Sequence, residues 1–141
     1  MQRFSSIVLV DRRGWVLLQE RDHHPVIDPD RWGFVGGHED DGESYEHAAY
    51  RELEEETGLR LAGGLVRFDT FAVRHAHKDT DDELTLFVMA VDLTDDDVVL
   101  GEGRQIVFVD PTTVGALPLT TAARVVLPAF LASAVYRGLA A

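Results

Sequence analysis

The chain has 141 residues, 45% of them hydrophobic and none of them cysteine, and carries a formal charge of −12. That length suits one folded domain spanning residues 1–141, and the lack of cysteine excludes disulfides, thiolate metal sites and cysteine nucleophiles. The charge argues against a general affinity for nucleic acid or anionic membrane, so a phosphate-bearing ligand would need cations and locally placed arginines.

In chain order, residues 4–10 are rich in Ile, Val and Phe and predict a strand. Residues 11–14 read as a turn and residues 15–19 as a second strand, making a hairpin. Arg21 follows the strand end, where it can hold a phosphate or remain a solvated arginine. Residues 22–31 carry two prolines and read as a loop; the adjacent His23 and His24 point in different directions and do not chelate one ion well. Residues 32–35 are a short apolar run, with Trp32 read as core before base-stacking platform, leading into a glycine turn at Gly36-Gly37. Ser44 is set to cap a helix that runs to Thr57 and stops at Gly58.

Beyond a loop at 60–64, residues 65–73 predict a strand with Val66, Phe68, Thr70 and Ala72 on one face. His75 and His77 stand two apart at its end, either as polar strand-end residues or as substrate contacts, before an acidic loop at 78–83. Residues 84–93 are the most continuous apolar run and predict a central strand. An acidic loop at 94–103 precedes a strand at 104–110 with Ile106 and Phe108 on one face. Thr120 caps a final helix to about Tyr136, which Pro128 should kink or split and Gly138 should end. Two helices and about six strands in this order predict an α/β/α sandwich with a mixed central sheet. The start of the chain does not read as a signal peptide, and no apolar run approaches the length of about 20 residues that spans a membrane. A soluble, cytoplasmic protein is the expectation.

Glu52, Glu55 and Glu56 fall within an arc of about 100° on one helix face. They repel one another there and meet the negative end of the helix dipole. A divalent cation reverses the sign of that argument, and hard oxygen ligands without sulfur favour Mg2+ or Mn2+. Glu54 lies away from the group, and it, Asp40 and Asp41 read as solvated; His38 reads as shaping the turn.

The spacing runs Gly37, five residues, Glu43, seven residues, Arg51-Glu52-Leu53, one residue, Glu55-Glu56, one residue, Gly58-Leu59. It resembles the signature of the Nudix hydrolase family at every specified position, which is far more specific than a lone glycine motif. The resemblance implies an α/β/α sandwich, a bound Mg2+ that Mn2+ can replace, and hydrolysis of a diphosphate bond in a nucleoside diphosphate linked to another group. It implies Glu55, Glu56 and the Gly36 carbonyl as metal ligands and Glu52 as general base or further ligand, with Arg51 and Glu43 fixing their geometry. A further carboxylate from a later loop is expected, with Glu102 preferred over Asp81, Asp82 and Glu83. A small nucleotide is the implied partner, and many members are homodimers.

Substrate markers are less direct. A downstream proline tends to mark ADP-ribose hydrolases in the family and a tyrosine dinucleoside polyphosphate hydrolases; here Arg74, His75 and His77 stand near those positions. The family's common Phe-Pro-Gly-Gly appears as Phe34-Val35-Gly36-Gly37. By elimination a nucleoside triphosphate or a nucleotide sugar is favoured, with Arg21, His75 and His77 as substrate contacts. A non-catalytic nucleotide-binding module on the same fold is the alternative.

Overall fold

The computed structural model describes residues 1–75 and 80–141. The strands are β1 (Arg3–Val10), β2 (Val16–Glu20), β3 (Trp32–Gly33), β4 (Val35–His38), β5 (Val66–Val73), β6 (Asp82–Ala90) and β7 (Gln105–Val109). The helices are α1 (Tyr45–Thr57), α2 (Thr121–Leu131) and α3 (Ala134–Ala140). The main path of the sheet is β3-β2-β1-β6-β5, with β4 paired to β1 and β7 to β2. Parallel pairing of β1 with β6 among antiparallel neighbours makes the sheet mixed, as expected.

Alternation of side chains along β1 divides its apolar run between two cores. Ile7 and Leu9 join Ala49 and Leu53 of α1 on one face. Val8 and Val10 join Val126, Leu127 and Phe130 of α2 on the other. The predicted hairpin forms, but β1 and β2 pair only at Val10↔Val16 before diverging. The space is taken by β4, whose register on β1 runs from Phe4↔His38 to Ile7↔Val35. Gly36-Gly37 is therefore strand, not the turn that the glycine pair suggests.

Gly36 has φ +148°, and a Cβ there would fall on the Ser5 carbonyl oxygen, with the Ser6 Cα at 2.7 Å. Gly42 has φ +78° with no atom within 4 Å of such a Cβ. Gly36→Ala should accordingly destabilise the fold by about 3 kcal/mol or more, through strain and overpacking. Gly42→Ala should cost only about 1–2 kcal/mol. Urea unfolding of the two variants checks this, and equal losses would refute the close approach of β4 to β1.

Three other expectations are corrected. A register shift between Arg67 and Asp69 changes the parity of β5. Val66 and Ala72 are exposed, and Phe68, Phe71 and Val73 pack on the core. The last helix splits at Ser133, whose side chain caps α3 through Tyr136 N, while Pro128 stays inside α2. Gly138 lies within α3 rather than ending it. Among the described residues no single helix is long and apolar enough to cross a membrane.

Candidate active site

Helix α1 begins where Ser44 accepts from His47 N and ends where Gly58, at φ 73°, donates to the Glu54 carbonyl. Small Ala48 and Ala49 and fully buried Leu53 set the helix close against the sheet. The acidic face is thereby turned toward Gly36 and Gly37. Gly36 N donates to Glu56 Oε2 at 2.8 Å, and a Cβ on Gly37 would lie 2.6 Å from Glu52 Oε1. The two glycines leave an opening beside α1 through which Glu52 and Glu56 line a cleft of about 510 Å³, together with Phe4, Gln19, Arg21, His38, His75 and Glu102.

Arg51 organises the acids. Its Nε and Nη2 donate to Glu43 at 2.7 and 2.8 Å, and its Nη1 reaches Glu52 at 3.0 Å and Glu55 at 3.3 Å. The guanidinium, aided by the Asp40 amide and His47, holds the Glu43 carboxyl down at about 2. Burial acts the other way on Glu52 and Glu56. Glu56, 5% exposed, is pushed up to about 8 by desolvation and by the neighbouring Glu52 and Glu102, against the Gly36 amide. Desolvation also raises Glu52.

Glu102 sits in the cleft because its loop is stitched to the end of α1. Gly101 N donates to the Glu56 carbonyl at 2.8 Å and Val99 N to that of Thr57 at 2.9 Å. Gln19 Nε2 bonds the Glu102 carbonyl at 3.0 Å. The rival acids are engaged elsewhere: Asp81 on Arg74, Asp82 on His75 and Glu83 on Tyr45. Glu55 stays on the solvent side, its side chain 58% exposed. Gly36 meets the acids through its amide. Glu54 pairs with Arg60, away from the cleft.

Arg21 lines the cleft, with Nη2 bonded to the Ile27 carbonyl and a buried Nε that has no partner among the described residues. His75 lines it too, whereas His77 lies outside the described residues. Two wall residues escape sequence reasoning. Phe4 reads as an ordinary strand residue and His38 as a turn residue, yet they pair across β1 and β4 with ring centroids 4.4 Å apart. Trp32 packs against the core, and the His23 and His24 rings lie side by side, tilted by 37° with centroids 4.1 Å apart.

Buried Glu56, half-buried Glu52 and exposed Glu102 crowd together as hard donors that a divalent cation would satisfy. Among the described residues no three acids or imidazoles are already drawn up as a ligand set.

The model of the NUDIX domain family matches residues 2–130. The MutT protein from Methanosarcina mazei Go1 is similar at 21% identity, covering 92% of this chain and 91% of that one, with a TM-score of 0.74. The NUDIX domain of Shewanella oneidensis NrtR, in complex with ADP ribose, is 18% identical, with 91% and 84% covered and a TM-score of 0.74. A C. elegans Ap4A hydrolase is 19% identical, with 84% and 86% covered and a TM-score of 0.66. No curated protein matches. At these identities the solved structures show a shared fold, and the family match over most of the chain adds the lineage: this chain belongs to the Nudix family.

Proposed function

We propose that the chain is a Mg2+-dependent pyrophosphohydrolase, with Mn2+ as a substitute, that cleaves a diphosphate bond in a nucleoside triphosphate or a nucleotide sugar. The observation that carries this reading is Glu56, a carboxyl buried beside a backbone amide and crowded by Glu52 and Glu102 at the cleft. Such crowding stabilises nothing by itself and suits a cation, which Glu52, Glu56 and Glu102 would hold, with Glu55 as the further ligand that the family resemblance implies. When bound, the cation supplies positive charge to the diphosphate oxygens and acidifies water.

The chain's own residues do the rest. Glu52, steadied by Arg51 at 3.0 Å, takes the proton of the attacking water. Arg51 is in turn locked by Glu43 and cannot swing away from the acids. Arg21, which lines the cleft, offers its guanidinium to a substrate phosphate oxygen. A panel of nucleoside triphosphates and nucleotide sugars assayed with Mg2+ and with Mn2+, with products identified, tests this. Turnover of at least one member, lost with chelator, is expected.

A second reading, a nucleotide-binding module without turnover, draws on the likeness to the NrtR domain. The complete set of motif acids favours catalysis over it. Tight binding with no hydrolysis of any panel member would reverse that preference.

A further inference from the structure

Gln19 lies on β2 at a place where packing asks for an apolar residue. It is 4% exposed, shares a strand face with Leu17 and stands opposite Ile106 of β7, which are 1% and 4% exposed. A carboxamide in such a position costs free energy unless it is hydrogen-bonded. Its bond goes to the loop before β7, where Nε2 donates to the Glu102 carbonyl at 3.0 Å, across 83 residues of chain. A carbonyl oxygen only accepts, so chemistry fixes which end of the amide faces it.

Residue 102 has little else to hold it. Glycines flank it on both sides, and the nearby bonds fix its neighbours instead. Gly101 N donates to the Glu56 carbonyl at 2.8 Å and Arg104 N to the Glu20 carbonyl at 2.9 Å. Among the described residues the Gln19 bond is the one backbone anchor of residue 102 itself. The turn is shaped around it. Gly103 has φ +85°, and a Cβ there would lie 2.7 Å from the Glu20 carbonyl oxygen and 3.2 Å from Gln19 Cγ.

The Glu102 side chain is exposed, and the like charges of Glu52 and Glu56 favour its departure to solvent. Among the described residues the acids are not drawn up in advance as a ligand set. Whether the third carboxylate joins the other two therefore depends on where its backbone is held.

We infer that Gln19 is the positioning residue of the loop acid: by holding the Glu102 carbonyl it keeps that carboxylate at the cleft with Glu52 and Glu56. This rests on the cation reading above and extends it to a neutral residue outside the acidic helix, on which cation affinity depends. Partners that orient a metal ligand commonly set affinity by about 10–100-fold.

Titration of the full chain with Mn2+, without nucleotide and with free Mn2+ read from its paramagnetic resonance signal, tests it. Gln19→Met keeps an unbranched stem of similar length and removes the donor. It should weaken Mn2+ binding about ten-fold or more. Glu102→Gln should weaken binding as well. Adding Gln19→Met to Glu102→Gln should then change it by less than about two-fold, because the amide acts only through that carboxylate. Loosened packing would instead lower affinity by the same factor in both backgrounds. If Gln19→Met fails to fold, Gln19→Asn, whose amide falls one methylene short of the carbonyl, carries the test.

Unchanged Mn2+ affinity in the Gln19 variant, or equal losses in the two backgrounds, overturns the inference and spares the cation site. Unchanged affinity in Glu102→Gln overturns it too, since the amide would then hold nothing that the cation needs. A chain that takes up no Mn2+ sinks the cation reading and the role of Gln19 together.

Discussion

Glu56→Gln leaves a folded protein whose cation-dependent nucleotide hydrolysis falls by at least about 10³-fold, or about 4 kcal/mol of transition-state stabilisation. Glutamine keeps an oxygen for the Gly36 amide, so the tie between α1 and β4 survives. What goes is the charge, and with it the donor that a cation between the acids requires. Steady-state assays beside thermal unfolding separate the two effects. Glu54→Gln, on the far side of the helix and paired with Arg60, is the control and should stay within about two-fold. Retained activity in the Glu56 variant would sink the assignment of the cation site.

The second large effect is a stability that falls as pH rises. In the unfolded chain Glu56 titrates at its ordinary value of 4.5, and in the folded chain at about 8. The native state therefore binds the extra proton between those values, and its stability declines across that window. At 1.36 kcal/mol per unit, the decline from this group is at most about 5 kcal/mol. Glu43 works with the opposite sign. Held down at about 2, it contributes stability that is present above 4.5 and is lost as the pH falls toward 2. Urea unfolding at pH 5, 6, 7 and 8 in chelator should show the decline, and Glu56→Gln should flatten most of it. Mg2+ at 100 times its dissociation constant should restore about 2.7 kcal/mol at pH 8. Identical slopes for the original chain and the variant would refute the burial of this carboxyl as the cause.

The acidic helix was legible from sequence because its chemistry is local: the cap at Ser44, the stop at Gly58 and the carboxylate spacing all lie within one element. Glu102 was found by its place in a loop before a strand, and the strand pairing of β2 with β7 then brings that loop to the helix. Phe4 and His38, two residues of the cleft wall, were not legible for the opposite reason. Phe4 meets His38 only through the register of β1 on β4, and Asp82 meets Gln2 across 80 residues of chain. No short-range pattern encodes such contacts. The bulge in β5 is of the same kind, since one extra residue inverts every inside–outside assignment after it. At the C-terminal end two local signals competed, and the serine cap at Ser133 set the break where Pro128 alone suggested another place.

The hydrogen bonds from Gly101 and Val99 to the end of α1 have a consequence for how the protein can vary. Every helix leaves its final carbonyls wanting partners, and here the loop that carries Glu102 supplies two of them. The loop acid therefore inherits its position from the helix as a rigid mount, and the two cannot drift apart separately. Lengthening or shortening that loop would unseat the carboxylate and fray the helix in a single step. The opposite side of the cleft is fastened to the same helix, since Arg51 Nη2 donates to the His38 carbonyl at 3.1 Å and Ser5 Oγ to the Tyr45 carbonyl at 2.7 Å, so a change there is felt by the acids too.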